Sequence, residues 1–312
     1  MGMFHCPIGA AFYDDEDCID CGMCKATTES EMVEASKKIR AYLKLHATNK
    51  GPIKKIAVCG KGGVGKSTIV TLIANVLTGE GYDVAVLDTD ESNPGLYRLF
   101  GLEIEPKPLI RLLSRFSSAK PDTNTEWIMR DNITIQDIPA EYILVRNGLK
   151  FMMVGKIEDP FQGCACSMAD ITRDLVGKLA LRDKEVIIVD VEAGLESFGR
   201  GVERNVDTVL IIVEPSFESM ALAEKIGYMA EGMGINRVRA ILSKVPSEST
   251  KQRMVEELNK RRINTIGAVF YDPQISEAGF DGRALGYSKA AEDIRNIIKR
   301  LMEESKAVSP EA

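Results

Sequence analysis

From Ile53 onward the chain alternates between short, almost continuous apolar runs and longer stretches in which apolar residues recur every three or four positions. Runs that are apolar throughout suit strands buried on both faces, and the helical stretches between them supply the crossovers that a parallel sheet requires. The strand candidates are Lys55–Cys59, Val84–Leu87, Lys150–Val154, Val186–Val189, Thr208–Val213, Arg239–Leu242 and Asn264–Phe270. The pattern predicts an α/β fold, a mostly parallel β-sheet flanked by helices on both faces. Near the C-terminus Ile294, Ile297, Ile298, Leu301 and Met302 form one apolar stripe, read as a helix on the core. Its polar face mixes both signs of charge, which argues against a membrane-binding helix. Upstream, Met32, Val33, Ala35, Ile39, Tyr42, Leu43 and Leu45 predict another helix, ended by Thr48-Asn49-Lys50-Gly51-Pro52. Residues 101–148, with Pro106, Pro108, Pro121, Pro139 and the single tryptophan Trp127, read as an irregular insertion. The expected organisation is a Cys-rich segment (1–30), a helix and linker (31–52), one large domain (53–305) and a tail (306–312).

Charge and composition narrow the function classes. A net charge of −6, from 40 basic and 46 acidic residues, offers no concentrated basic footprint, so nucleic acid is not an expected partner. There is no apolar run long enough to cross a membrane, and the first residues lack the pattern of a secretory signal. The expected location is cytoplasmic, without a membrane partner.

Gly60-Lys61-Gly62-Gly63-Val64-Gly65-Lys66-Ser67-Thr68 fits the phosphate-binding pattern G-x-x-x-x-G-K-[ST], between an apolar run and a helical stretch. In such a loop the backbone N–H groups and the helix N-terminus converge on phosphate, Lys66 adds charge and the Ser67 hydroxyl reaches Mg²⁺. Lys61 is not required by the general pattern; by itself it reads as a solvated loop lysine. Val186-Ile187-Ile188-Val189-Asp190 is an apolar strand ending in a carboxylate that can hold Mg²⁺ through water. Asp88-Thr89-Asp90 ends the second strand, where acidic side chains face the ligand crevice or form a solvated acidic turn.

The string K-G-G-V-G-K-S-T resembles the deviant Walker A loop of the MinD and nitrogenase iron protein class of ATPases. That resemblance implies the P-loop NTPase fold and an ATP-dependent homodimer in which Lys61 reaches the partner's nucleotide and acts, with Lys66, as the charge clamp. It also implies Asp88 as a Mg²⁺-shell residue beside Ser67 and Asp190, and Asp90 as the group that orients the attacking water. For the base it points to Ser243-Lys244 and Asp272-Pro273, where Ser243 replaces an asparagine and makes adenine recognition less secure than phosphate binding.

Seven cysteines stand at positions 6, 18, 21, 24, 59, 164 and 166. Cys59, inside the strand that feeds the loop, reads as a small buried apolar residue. Cys164-Ala165-Cys166 can chelate one soft cation, and a pair from each protomer gives four thiolates, suited to zinc, nickel or an iron–sulfur cluster. Cys18, Cys21 and Cys24 form the C-x₂-C-x₂-C triplet that holds a [4Fe–4S] cluster in ferredoxins, with Cys6 as the candidate fourth ligand; a Cys₄ zinc site is the alternative. The longer string V-G-K-I-E-D-P-F-Q-G-C-A-C, with D-V-E-A-G-L-E-S-F-G-R-G at 190–201, resembles the CooC-type ATPases that mature carbon monoxide dehydrogenase. Ser197 stands where that subfamily often has histidine. The resemblance implies an ATPase that binds nickel (or zinc) through Cys164 and Cys166 and has carbon monoxide dehydrogenase as its client. An iron–sulfur carrier or reductase of the nitrogenase iron protein type, and a MinD-like positioning ATPase, are the alternatives.

Overall fold

The structure is a computed structural model that describes residues 19–45, 51–91, 95–112, 126–156, 165–199, 201–286 and 288–306. Eight strands form one sheet: β1 (Lys55–Gly60), β2 (Asp83–Asp88), β3 (Leu144–Arg146), β4 (Leu149–Met153), β5 (Glu185–Asp190), β6 (Thr208–Val213), β7 (Arg237–Val245) and β8 (Thr265–Phe270). Their order is β3-β4-β2-β5-β1-β6-β7-β8, parallel throughout except for the β3–β4 hairpin. All seven expected strands form, with ends shifted by three residues or fewer. The addition is β3, an antiparallel edge strand of three residues, too short to leave a periodicity.

Nine helices connect and cover the sheet: α1 (Glu29–Leu45), α2 (Lys66–Gly79), α3 (Leu96–Leu99), α4 (Ala165–Lys178), α5 (Glu196–Gly199), α6 (Phe217–Gly232), α7 (Glu248–Lys260), α8 (Pro273–Asp281) and α9 (Lys289–Lys306) among the described residues. Alternation along β1 sends Ile56 and Val58 to one face and Ala57 and Cys59 to the other. The first face is sealed by Ile69 and Ile73 of α2 and by Ile294, Ile298 and Leu301 of α9. The second is sealed by Leu175 of α4, Ala223 and Ile226 of α6, and Leu258 of α7. Covered on both sides, the central strands need apolar residues at every position, which explains their unbroken runs. Much of 101–148 is built into this second core: Leu109, Trp127, Ile133 and Tyr142 are buried there, with the Trp127 and Tyr142 rings 6.1 Å apart. Short 3₁₀ turns rather than regular elements carry these residues, so no long period marks them.

Before the sheet, Thr28 and Glu31 form a reciprocal cap on α1: the Thr28 hydroxyl accepts from the Glu31 N–H (3.3 Å) and the Glu31 carboxylate accepts from the Thr28 N–H (3.0 Å). These bonds, with one from the Thr27 N–H, hold the Glu31 acid down at about 2. α1 then lies against α6, where the Arg40 guanidinium sits 4.4 Å from the Tyr228 ring centre and donates to its hydroxyl. Among the described residues no helix is long and apolar enough to cross a membrane.

Beneath α5 the core contains one unbalanced acid. Glu203 is fully buried, and neither of its oxygens has a hydrogen-bond partner among the described residues; the Ser197 hydroxyl is near but out of bonding geometry. Burial raises its acid from 4.5 to about 7. An acid raised in the folded state contributes its full stability below about 4.5, and loses it as the pH rises to about 7. From this group alone, unfolding free energy should fall by up to about 3 kcal/mol between pH 4.5 and 8. Urea unfolding of the wild type and Glu203→Gln at the two ends of this range is the check: the variant should lose this part of the slope, and identical slopes would contradict it.

Candidate functional site

The loop at the end of β1 is shaped by its glycines. Gly60 has φ +148°, and a Cβ there would lie 2.6 Å from the Ile212 carbonyl oxygen; Gly65, at φ +95°, turns the chain into α2. Lys66 is the first residue of α2 and is buried, so its ammonium and the positive end of the helix share one small volume. Ser67 follows it, and its hydroxyl donates to Asp190 Oδ2 at 2.8 Å.

Asp190 ends β5 and Asp88 ends β2, and the parallel register makes them direct neighbours. Asp190 is fully buried; burial first, then the charge of Asp88, raises its acid to about 7. Its Oδ1 has no hydrogen-bond partner among the described residues. Asp88 is raised to about 6 by burial, opposed mainly by Lys156, whose ammonium donates to Asp88 Oδ2 at 2.7 Å and also to the Asp90 carbonyl. Asp88 Oδ1 accepts from the Asp90 N–H (3.1 Å), and the Thr89 hydroxyl donates to the Asp190 carbonyl (2.8 Å). Residues 88–90 are thus fixed to β5 on one side and to Lys156 on the other. The Gly194 N–H donates to the Gly60 carbonyl (3.3 Å), joining the segment after β5 to the phosphate loop.

An orphaned buried carboxylate oxygen beside a hydroxyl and a second carboxylate is a set of hard oxygen donors that fits Mg²⁺. Ser67, Asp190 and Asp88 would hold that ion, which supplies charge neutralisation at transferring phosphate oxygens. Lys66 and the α2 N-terminus are the groups that would meet the phosphates, and Asp90 is buried next to this group.

On the other flank, Lys244, near the end of β7, lies in the left-handed region (φ +54°), and its ammonium donates to the Gly63 carbonyl. Ser243 is buried under the loop, and its hydroxyl donates to the Val64 carbonyl (2.9 Å), so it braces the phosphate loop. Next to them a pocket of about 80 Å³ is lined by Gly65, Thr68, Lys244, Tyr271, Asp272 and Ile275. The Asp272 carboxylate accepts from Gln274 N–H (3.0 Å), capping α8, and from Ala290 N–H (3.2 Å); Pro273 is the first residue of that helix. Of the four residues expected at the base, Ser243, Lys244 and Asp272 line this one pocket beside the phosphate loop, and Pro273 does not.

Two further charged residues belong to the site and were not among the expected site residues. Glu214, just beyond β6, pairs with Lys61 (3.5 Å) and with Lys244 (3.8 Å). Lys156, just beyond β4, is the counter-ion of Asp88. Glu214 is signalled only by its position at the C-terminal end of a parallel strand, where ligands bind; Lys156 has that position and also stands in the V-G-K-I-E-D-P-F-Q-G-C-A-C string. Cys59 is buried as expected, with its thiol pushed well above the usual range by burial. Of the thiol candidates, Cys21 is buried beside Ile39 while Cys24 is exposed. Cys6, Cys18 and Cys164 lie outside the described residues, and Cys166 stands in the first turn of α4.

A phosphate loop opening a helix, with two strand-end carboxylates at its side, defines the class: this is a P-loop ATPase. The chain belongs to the CobQ/CobB/MinD/ParA nucleotide-binding domain family, which matches residues 55–285. It is 37% identical over 253 residues to an uncharacterised ATP-binding protein of Methanocaldococcus jannaschii, covering 79% of this chain and 99% of that one. It is 31% identical over 231 residues to the carbon monoxide dehydrogenase accessory protein CooC of Rhodospirillum rubrum, covering 72% of this chain and 86% of that one. Among solved structures, the MinD cell division protein of Aquifex aeolicus shares the fold, with a TM-score of 0.58 and 21% identity over 80% of this chain and 97% of that one.

Asp190→Asn keeps the shape of the site and removes one anionic oxygen donor. Mg²⁺-dependent ATP hydrolysis should fall on the order of 100-fold, with nucleotide binding in EDTA little changed. A steady-state phosphate-release assay checks this; wild-type turnover in the variant would remove Asp190 from the metal set.

Proposed function

We propose that this ATPase is a homodimeric metallochaperone that binds nickel through Cys164 and Cys166 and delivers it to carbon monoxide dehydrogenase. What carries the reading is the extent of the similarity to the carbon monoxide dehydrogenase accessory protein, 31% over 72% of this chain, in a chain that also has Cys-Ala-Cys at the start of α4. A two-fold dimer would bring two such pairs together, and four thiolates suit square-planar nickel, with zinc as the competing cation.

Lys61 couples this cargo site to ATP. Its side chain is 41% exposed, and its only ion pair among the described residues is to Glu214 of its own protomer. An exposed pair of this kind is worth roughly 0–1 kcal/mol, so Lys61 can exchange Glu214 for the phosphates of the partner's nucleotide. ATP then closes the dimer over the thiolates. Attack of a water oriented by Asp90 gives ADP and phosphate, removes the charge that held Lys61, and opens the dimer for release of metal. In this reading the Cys6, Cys18, Cys21 and Cys24 group holds a [4Fe–4S] cluster, carried on α6 through the contact of Arg40 with Tyr228.

Anaerobic purification followed by metal analysis tests the cargo site. Wild type should bind nickel stoichiometrically and a Cys164→Ala/Cys166→Ala variant should not; absence of nickel from both, with a second iron–sulfur signal in the wild type, would favour an iron–sulfur carrier. Lys61→Ala should abolish ATP-driven dimerisation and hydrolysis while the iron signal of the N-terminal group persists. Sedimentation with a non-hydrolysable ATP analogue reads the first effect, and an unchanged dimer would contradict trans action of Lys61.

A further inference from the structure

Glu203 lies outside the nucleotide site, in the core beneath α5, and is the second residue of the turn Val202–Asn205. It is fully buried, and both of its oxygens lack a hydrogen-bond partner among the described residues. The Ser197 hydroxyl, also buried, lacks one as well. An unsatisfied carboxyl and an unsatisfied hydroxyl in a dry core each destabilise the fold, so a neighbouring pair of them points to a function.

The turn packs on α4 and α5. Among the described residues of α4 the charges are matched to each other, Arg173 to Asp170 (2.7 Å) and Lys178 to Asp174 (2.8 Å), and the Asn205 amide of the turn donates to the Arg173 carbonyl (3.1 Å). α5 presents Ser197, while its Glu196 carboxylate turns back to accept from the Leu195 N–H (3.0 Å). From β1 comes the Cys59 thiol, pushed up by burial and then by the charge of Glu203. Arg204 follows Glu203 on the turn itself. The groups that ease the charge of Glu203 are the Ser197 hydroxyl first and its own N–H second.

Ser197 belongs to the segment that follows Asp190. That segment is fixed to the phosphate loop by the Gly194 N–H on the Gly60 carbonyl (3.3 Å), and α5 begins two residues later. A nucleotide that fills the loop meets the segment at both points, at Asp190 through its metal and at Gly60 through the loop. We propose that Glu203 is a positioning residue of the ATPase: nucleotide shifts α5 so that the Ser197 hydroxyl closes onto the Glu203 carboxylate, and the proton of that acid leaves to solvent. The Glu203 O–H bond breaks, its proton passes to the buffer, and the Ser197 O–H donates to the carboxylate that remains. Burial alone favours the protonated acid at neutral pH, and a donor to the charged form draws the proton off. Nucleotide binding and loss of this proton then favour each other, so nucleotide is held more tightly as the pH rises.

The measurement is the number of protons released when a non-hydrolysable ATP analogue with Mg²⁺ binds the full chain at pH 7, read by calorimetry in two buffers of different ionisation enthalpy. Asp88 and Asp190 are also raised into this range, so the quantity that decides is the difference between wild type and variant. Wild type should release roughly 0.4 proton more per chain than Glu203→Gln, and Ser197→Ala should show the same deficit. Equal counts in wild type and Glu203→Gln overturn the inference. Should Glu203→Gln not fold, an undiminished count in Ser197→Ala overturns it by itself. Turnover gives a second reading: the ratio of wild-type to Glu203→Gln kcat/KM for ATP should rise about 3-fold or more from pH 6 to pH 8. A ratio that stays constant over that range, as it would if Glu203 only filled space, overturns the inference too.

Discussion

Two carboxylates that cannot avoid each other organise this molecule. The parallel register of β2 and β5 sets Asp88 and Asp190 side by side at the end of a sheet covered on both faces, where water cannot screen them. Both acids are held above the ordinary range as a result. Two anions in such a place are tolerable only with cations or donors around them. Lys156 meets Asp88, the Ser67 hydroxyl meets Asp190, and the Lys66 charge acts on Asp190 from the start of α2. A divalent metal carrying phosphate would complete that arrangement.

The strand order turns this local problem into a connection between distant segments. Each parallel strand ends on the same edge, so the phosphate loop after β1, Asp88 at the end of β2, Lys156 after β4, Asp190 at the end of β5, Glu214 after β6 and Lys244 near the end of β7 form one row of charge. A doubly covered sheet is stiff, because every strand position is packed. The segments after the strands are held to one another by a few bonds, such as Gly194 to Gly60 and Thr89 to Asp190.

The seven strands and the phosphate loop were legible in the sequence because their chemistry is local: unbroken apolar runs, and glycines spaced for a turn. Glu214 was not, because a lone Glu after a strand has no pattern; Lys156 stands inside a string read only for its cysteines, and the sheet order is what reveals that these two side chains face Lys61 and Asp88. That Ser243 also braces the phosphate loop was hidden for a related reason: its distance from Val64 along the chain is large, but β7 carries it under the loop. The Trp127 and Tyr142 region looked irregular in sequence and is irregular in structure, yet it fills the core by 3₁₀ turns that leave no long period. Glu203 has a similar cause, a single charge whose burial depends on α4 and α5 lying over it.

The central claim is that ATP state and a shared thiolate site are one variable. Counting nickel per chain tests it most directly, taken as the difference between wild type and the Cys164→Ala/Cys166→Ala variant after gel filtration with a non-hydrolysable ATP analogue. One nickel for every two chains, found in the dimer fraction and lost with ADP, is the expected result. One nickel per chain in a monomer, with either nucleotide, would contradict it.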